Sequence, residues 1–539
     1  MDTLKIEVKS SDVLNNSLNI AKSSKAISSS GNRRFRKFTR LFHRWIGLFV
    51  IFFVFIFSIS GIILNHREFF SNLDIPRSIL PKDYHYNNWN NAAVKSILHS
   101  TQGTFIYGNI GIWLKKNNKF IDFNQGLPNG MDNKNIHSMI ETPSKNLLAA
   151  SLLGLYKYNF NSNKWERIYL PTQEQRIVKF VQKDNKIYAL TRCNLFQISE
   201  EKNKVKFKKV EVLPPENYQK DVSLFKTLWQ LHSGEAFGII GKLFMDFIAL
   251  IFIILSITGF IKWYYPKQIK KNKNNKLKLN KLKNTFKFNL RWHNKLGLWF
   301  GFFVFSSAIT GMFLRPPLLI LIGSSKVTQL PFTHLDQINP WYDKFRNFLY
   351  DKDLNGWIIA TDENLYFVDE NFKINPILID DHPPISVMGV NVLEKHSSGG
   401  ILVGSFSGLF LWFPENNIII DYITKQPTAP LVSSGPPVGN YLVSGYGYDE
   451  FNNEFYFDYN SGVFPLNSNN KFPDMTIEIL SKSKISLWNT MLEFHTGRIF
   501  KAILGNFYIL IVPLIGLLIA LISLTGYLIW FWIYKGKNI

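Results

Sequence analysis

The chain has one cysteine, Cys193, in 539 residues. A single thiol cannot close an intramolecular disulfide, and it excludes a cysteine-ligated zinc or iron–sulfur centre within one chain. A G-x-G-x-x-G unit between a strand and a helix is also missing, so no flavin- or dinucleotide-binding domain of that kind is expected. Acidic residues are scarce: 39 Asp and Glu stand against 62 Lys and Arg, a formal charge of +23. The stretch 262–295 contains none at all. An excess of positive charge suggests nucleic acid when it covers one face. Here it gathers at Arg33, Arg34, Arg36, Lys37, Arg40 and Arg44 and again within 262–295, beside apolar runs. The positive-inside rule accounts for that placement, and no nucleic-acid partner is expected.

The apolar residues are concentrated in four blocks, and the first and third are alike. Residues 40–64 read RLFHRWIGLFVIFFVFIFSISGIIL, and residues 290–314 read LRWHNKLGLWFGFFVFSSAITGMFL. Superposing them puts His43 on His293, Gly47 on Gly297 and Ser60-Gly61 on Thr310-Gly311. The second and fourth blocks both close on S-x-TG followed by aromatic residues, at 256–259 and 523–526. Each is preceded by a similar entry, His232-Ser-Gly and His495-Thr-Gly. An apolar run of about 20 residues is long enough to cross a bilayer as a helix.

The fold class expected is therefore membrane α plus β: a four-helix transmembrane bundle from two tandem helix–soluble segment–helix repeats, with two β-rich periplasmic segments. The predicted order is a disordered cytoplasmic tail over 1–40, helix 41–66, soluble segment 67–230 and helix 231–265. A basic cytoplasmic loop 266–290, helix 291–315, soluble segment 316–486, helix 487–534 and tail 535–539 follow. This makes a multi-pass protein of the bacterial inner membrane, in contact with lipid, with both termini cytoplasmic. In the soluble segments, period-two patterning with Asn, Gly and Asp punctuation argues for strands. The phrases after Gly111, Gly154 and Ser407 look like propeller blades, and open β-meanders fit them equally.

Among eleven histidines, His43 and His293 fall at the cytoplasmic mouths of the first and third helices. His66 lies about 34 Å further along a continuous first helix, at the opposite face. His232 and His495 precede the second and fourth helices on that same face. Interfacial histidines commonly anchor a helix end. Pairs at repeat-related positions point instead to function, because ionisable groups facing a helix bundle are costly. Two neutral imidazoles from facing helices are the axial ligand set of a b-type haem, with Gly47 and Gly297 one turn from His43 and His293 to make room. His43 with His293 are the expected ligands of one haem. His232 with His495, or His66 with one of them, are those of the other. Arg44, Lys295 and Arg498 stand beside ligands, where they could pair with haem propionates.

The phrases HRWIGL…SG, HSGEAFG…LSITGFIKW, WHNKLGL…AITG and FHTGRIF…SLTGYLIW resemble the four helices of the PepSY-associated transmembrane proteins. That family includes iron-regulated inner-membrane proteins and ferrisiderophore reductases of Gram-negative bacteria. The resemblance covers about a quarter of the chain. It implies two haem b groups and reduction of a periplasmic ferric chelate or siderophore in iron uptake, with a cytoplasmic flavin reductase or quinol as electron donor. The other expectation kept open is a haem-free periplasmic ligand sensor or assembly factor anchored by the four helices.

Overall fold

The computed structural model describes residues 10–116, 119–201, 204–216, 218–386, 388–430 and 439–534. Helix α1 (Ser10–Asn65) contains the first membrane span. A short helix α2 (Leu224–Ser233) leads through a turn into α3 (Gly238–Lys271), the second span. Helix α4 (Lys276–Phe313) is the third. A second short helix, α5 (Leu487–His495), leads into the fourth, α6 (Ile511–Tyr534). Around the bundle α1 touches α3, α3 touches α4, α4 touches α6 and α6 touches α1. Val50, Ile248, Val304 and Ile515, one from each helix, meet in its core. Large side chains such as Phe52 and Phe302 point outward, as expected of a surface solvated by lipid tails. The chain is a multi-pass membrane protein of mixed α and β structure.

The tail expected to be disordered over 1–40 is helical from Ser10 onward. No proline interrupts the sequence before Pro76, so the span can propagate its helix back through residues with acceptable helix propensity. Residues 1–9 and the expected tail 535–539 lie outside the described residues. The basic stretch expected as a loop over 266–290 is also mostly helical. Helix α3 runs on to Lys271, and α4 starts after Asn275, whose side chain accepts a hydrogen bond from the Lys278 amide. Long lysine and leucine side chains favour the helix, and Asn275 caps it.

The two β-rich segments share one structure. Six antiparallel meander sheets, three from residues 96–210 and three from 345–465, each place their first strand innermost. These first strands are Ser96–Ser100, Ile136–Glu141, Ile177–Lys183, Phe345–Asp351, Val390–Lys395 and Val443–Tyr448. Each touches the next, and the last touches the first. The result is a closed six-bladed propeller. A separate apolar cluster fills the space between each pair of neighbouring blades. The cluster of Tyr188, Leu190, Phe348 and Trp357 joins the first segment to the second. The cluster of Trp89, Ile106, Phe455 and Phe457 joins the second back to the first. Three blades alone would expose two such faces, and closing the ring buries both.

Two short ladders tie the propeller to the bundle. Asp74–Pro76, after α1, pairs with Lys484–Ser486, before α5. Asp221–Ser223, before α2, pairs with Lys326–Thr328, after α4. Each ladder joins one segment leaving the membrane to one returning to it.

Candidate functional site: two facing histidine pairs

The four repeated Ser/Thr-Gly pairs each hold one histidine. The His43 Nδ1 lies 3.2 Å from the Ile522 carbonyl and 3.2 Å from the Thr525 hydroxyl on α6. The His293 Nδ1 is 2.9 Å from the Thr258 hydroxyl on α3. The His232 Nδ1 is 3.1 Å from the Ser307 carbonyl and 3.2 Å from the Thr310 hydroxyl on α4. The His495 Nδ1 is 2.9 Å from the Ser60 hydroxyl on α1. The neighbouring glycines supply the space. A Cβ at Gly526 would stand 3.1 Å from His43, one at Gly259 3.5 Å from His293, one at Gly311 2.8 Å from His232 and one at Gly61 3.5 Å from His495.

These contacts fix the tautomer. Each of the four hydroxyls donates its one hydrogen to a carbonyl of its own helix: Ser60 to Ile56, Thr258 to Ile254, Thr310 to Ser306 and Thr525 to Ile522. The oxygen can then only accept from the imidazole, so Nδ1 carries the proton. Nε2 is left with its lone pair, and among the described residues it has no hydrogen-bond partner in any of the four rings. This is the state in which histidine binds metal, with the second nitrogen oriented by a hydrogen bond.

The rings approach each other across the bundle diagonals. His43 on α1 and His293 on α4 have centroids 6.3 Å apart. His232 on α2 and His495 on α5 have centroids 6.1 Å apart. Two imidazoles on opposite sides of one metal ion, with bonds of about 2.0–2.1 Å and about 1.1 Å from nitrogen to ring centre, place their centroids about 6.3 Å apart. The spacing of each pair matches that of two such ligands on one ion. His43 and Ser60, which holds His495, are on the same helix about 26 Å apart, so the pairs lie toward opposite faces of the bundle.

Around His43 and His293 the bundle encloses a cavity of about 540 Å³, lined also by Gly47, Gly297 and Gly301. A Cβ at Gly47 or Gly301 would meet nothing within 4 Å, and one at Gly297 would only touch Leu255 at 4.0 Å. The absent side chains leave open space beside the two imidazoles, which suits a flat group. Arg40, Arg44 and Lys262 line the same cavity.

The remaining expected residues are placed as follows. Lys295 does not line the cavity; its ammonium lies 5.7 Å from the rings of both Trp292 and Trp299. Arg498 donates to Glu493 at 2.5 Å, and Glu493 also accepts from the Tyr84 hydroxyl. His66 joins neither pair. Its Nε2 is 2.5 Å from Asp246, which also accepts from Asn65. Asp246 thus occupies the nitrogen that His66 would need for a metal.

Between His495 and the fourth span the chain turns twice, at Gly497 (φ 74°) and at Gly505 (φ 53°). Pro513 falls in the first turn of α6, where its missing N–H costs nothing. Gly234 (φ 79°) makes the equivalent turn after His232, and a Cβ there would come within 2.2 Å of the Gly241 carbonyl. The sequence showed the Ser/Thr-Gly pairs and the His-x-Gly entries as repeated phrases. It did not show that each pair holds a histidine from another helix, nor that Arg40, Lys262 and Gly301 reach the cavity.

The model of the family described as the PepSY-associated TM region matches residues 42–532. No protein of curated function matches the chain. Among solved structures, two of the extracellular domain of a two component or one component system protein from B. thetaiotaomicron are similar. One is 12% identical, with 70% of this chain and 33% of that chain covered and a TM-score of 0.33. The other is 10% identical, with 72% and 40% covered and a TM-score of 0.34. PorZ, a surface component of the type-IX secretion system of Porphyromonas gingivalis, is 9% identical, with 70% and 38% covered and a TM-score of 0.31. The chain spans about a third of the length of these structures.

Proposed function

The chain belongs to the PepSY-associated TM region family, and on that premise we propose that it is an inner-membrane electron-transfer protein that binds two b-type haems and reduces ferric chelates on the propeller side. The support is the pair of facing imidazole sets at opposite ends of one bundle, each with Nδ1–H anchored and Nε2 free. His43 and His293 would hold one haem, and His232 and His495 the other. Haem b bound at each pair would supply a one-electron carrier near each membrane face.

The protein's own groups have defined parts in this reading. The Ser/Thr-Gly clamps fix the tautomer and the ring plane. Gly47, Gly297 and Gly301 keep the loop-side cavity open. Arg40, Arg44 and Lys262 there, and Arg498 at the other end, would meet the haem carboxylates. The propeller would be periplasmic, and the basic connector 262–295 and both termini cytoplasmic. The chain would consist of two equivalent units. The donor would be a cytoplasmic flavin reductase or a quinol. Each ferric ion takes one electron, so one two-electron donor serves two chelates and releases its protons on its own side.

The test is the absorption spectrum of the detergent-purified protein from haem-replete cells. The expected result is a Soret band, and an α band that sharpens with dithionite. His43→Ala should lose the loop-side haem alone, and His495→Ala the other alone. A colourless protein would overturn the reading in favour of a haem-free propeller on four anchors, for which the closed ring is the supporting observation.

A further inference from the structure

The propeller end nearest the membrane carries a group of cations that the histidine pairs do not use. Lys95 and Arg176 immediately precede the innermost strands of the first and third blades, and His137 lies at the start of that of the second. Arg192 and Arg346 stand at the same end of the third and fourth blades. Arg67 follows α1 and lies over the Trp488 ring of α5 at 3.8 Å. This end of the propeller axis is thus the end where the chain enters and leaves the bundle.

Most of these charges are balanced locally. Arg67 forms a two-point contact with Asp132 at 2.8 Å. Arg192 and Lys226 share Asp343, and Arg346 is 3.5 Å from Asp362. Lys95 and Arg176 are not balanced in this way. The Lys95 ammonium donates to Asn135 at 2.6 Å and to the His137 Nδ1 at 3.3 Å, both neutral. The Arg176 guanidinium has no hydrogen-bond or ion-pair partner among the described residues, and its Nε is buried. Because a lysine can only donate, the His137 Nδ1 accepts, and its Nε2–H is a donor. That atom is also buried without a partner. Burial, with Arg176 and Arg67 nearby, pushes the Lys95 ammonium down to about 7. Burial, with Arg192 and Arg67 nearby, lowers Arg176 to about 9, and Glu174, whose carboxylate accepts from the Arg176 main-chain N–H and not from its guanidinium, offsets them only in part.

Two buried cations in one group without an ion-pair partner, with a third donor among them, are costly to bury. An anion between them removes the cost. We propose that the membrane-facing mouth of the propeller axis is a binding site for a small polycarboxylate, held by Lys95, Arg176 and His137. The planar guanidinium matches a carboxylate with two parallel donors, and the ammonium and the imidazole N–H add a second contact. The site connects to the propeller-side histidine pair through α2. Lys226, whose partner Asp343 belongs to the same group, precedes His232 on α2 by about 9 Å of helix. Resting on the reading of the chain as a ferric-chelate reductase, the site makes its substrate an anionic carboxylate chelate and disfavours a cationic one.

The test uses the full chain in nanodiscs and two probes, iron-free citrate and ferric citrate. Calorimetric titration with citrate should show binding that is about tenfold or more weaker in Arg176→Gln and in Lys95→Met, and weakened less in Arg176→Lys, which keeps the charge but not the two parallel donors. Raised salt should weaken it in the wild type. Ferric citrate should be reduced faster than ferrioxamine B, a cationic chelate. Equal citrate affinity in the wild type and in both neutralised variants, or no citrate binding by the wild type, overturns the site. The Arg176→Lys protein separates lost charge from lost fold: citrate binding as weak there as in Arg176→Gln also overturns it. Citrate binding needs no haem. A colourless protein that binds citrate would defeat the proposed function alone, and a haem-loaded protein indifferent to citrate would defeat this site alone.

Discussion

Gly311 is the most stringent point in the histidine clamps. A methyl group added there would lie 2.8 Å from the His232 Cε1, 3.3 Å from its Nδ1 and 3.5 Å from its Nε2. Carbon atoms in ordinary contact sit about 3.5–4.0 Å apart, so Gly311→Ala must push the ring back by about 0.7–1.2 Å. The contacts of Nδ1 with Ser307 at 3.1 Å and Thr310 at 3.2 Å cannot stretch that far. Losing them costs about 0.5–1.5 kcal/mol each. The total of about 1–3 kcal/mol corresponds to about a 5- to 150-fold weaker hold on whatever His232 binds. At Gly61, facing the partner ring of His495, the same methyl would sit at 3.5 Å, an ordinary contact. Haem content and the α-band amplitude should therefore fall by up to half in Gly311→Ala and stay unchanged in Gly61→Ala. Haem is to be measured as the pyridine haemochrome, per mole of purified protein. Equal content in both variants, or greater loss in Gly61→Ala, would refute the clamp argument.

Other expectations follow from the same geometry. His66→Ala should retain both haems, since Asp246 and not a metal occupies its Nε2; loss of one haem would restore His66 as a ligand. Trp357→Ala, at a fully buried residue between the third and fourth blades, should cost about 3–5 kcal/mol. It should loosen the ring where the two segments meet, seen as a lower melting midpoint and new protease sites in both. Thr258→Val removes the acceptor of the His293 Nδ1 proton and should broaden or shift the haem spectrum more than Thr258→Ser. Reporter fusions near Lys276 and near Gly154 should fall on opposite sides of the membrane.

The four spans, and the placing of His43 with His293 and of His232 with His495, were legible because both depend on local sequence: apolar length, and a histidine at a fixed distance from a glycine. His66 was indistinguishable by that measure, since its competitor Asp246 is distant in sequence and meets it only after α1 packs on α3. The place of Lys295 was hidden for a related reason. It adjoins His293 and Asn294 in sequence, but helical rotation turns its side chain onto Trp292 and Trp299. The blade phrases were visible one at a time. Closure of the ring was not, because it depends on faces such as Tyr188 against Trp357 that no short window contains.

The ladders between 74–76 and 484–486 and between 221–223 and 326–328 bear on how such a chain is made. Three blades reach their compartment before the third span has been synthesised, and they must wait there as a half-ring with both flanks open. Assembly is thus a docking event between halves, and the half-made product is the stage most exposed to proteases and holding chaperones. The same arrangement means that covalent continuity through residues 272–275 contributes little to the finished molecule. Genes for 1–273 and 274–539, expressed together, have the interlocking edges needed to find each other.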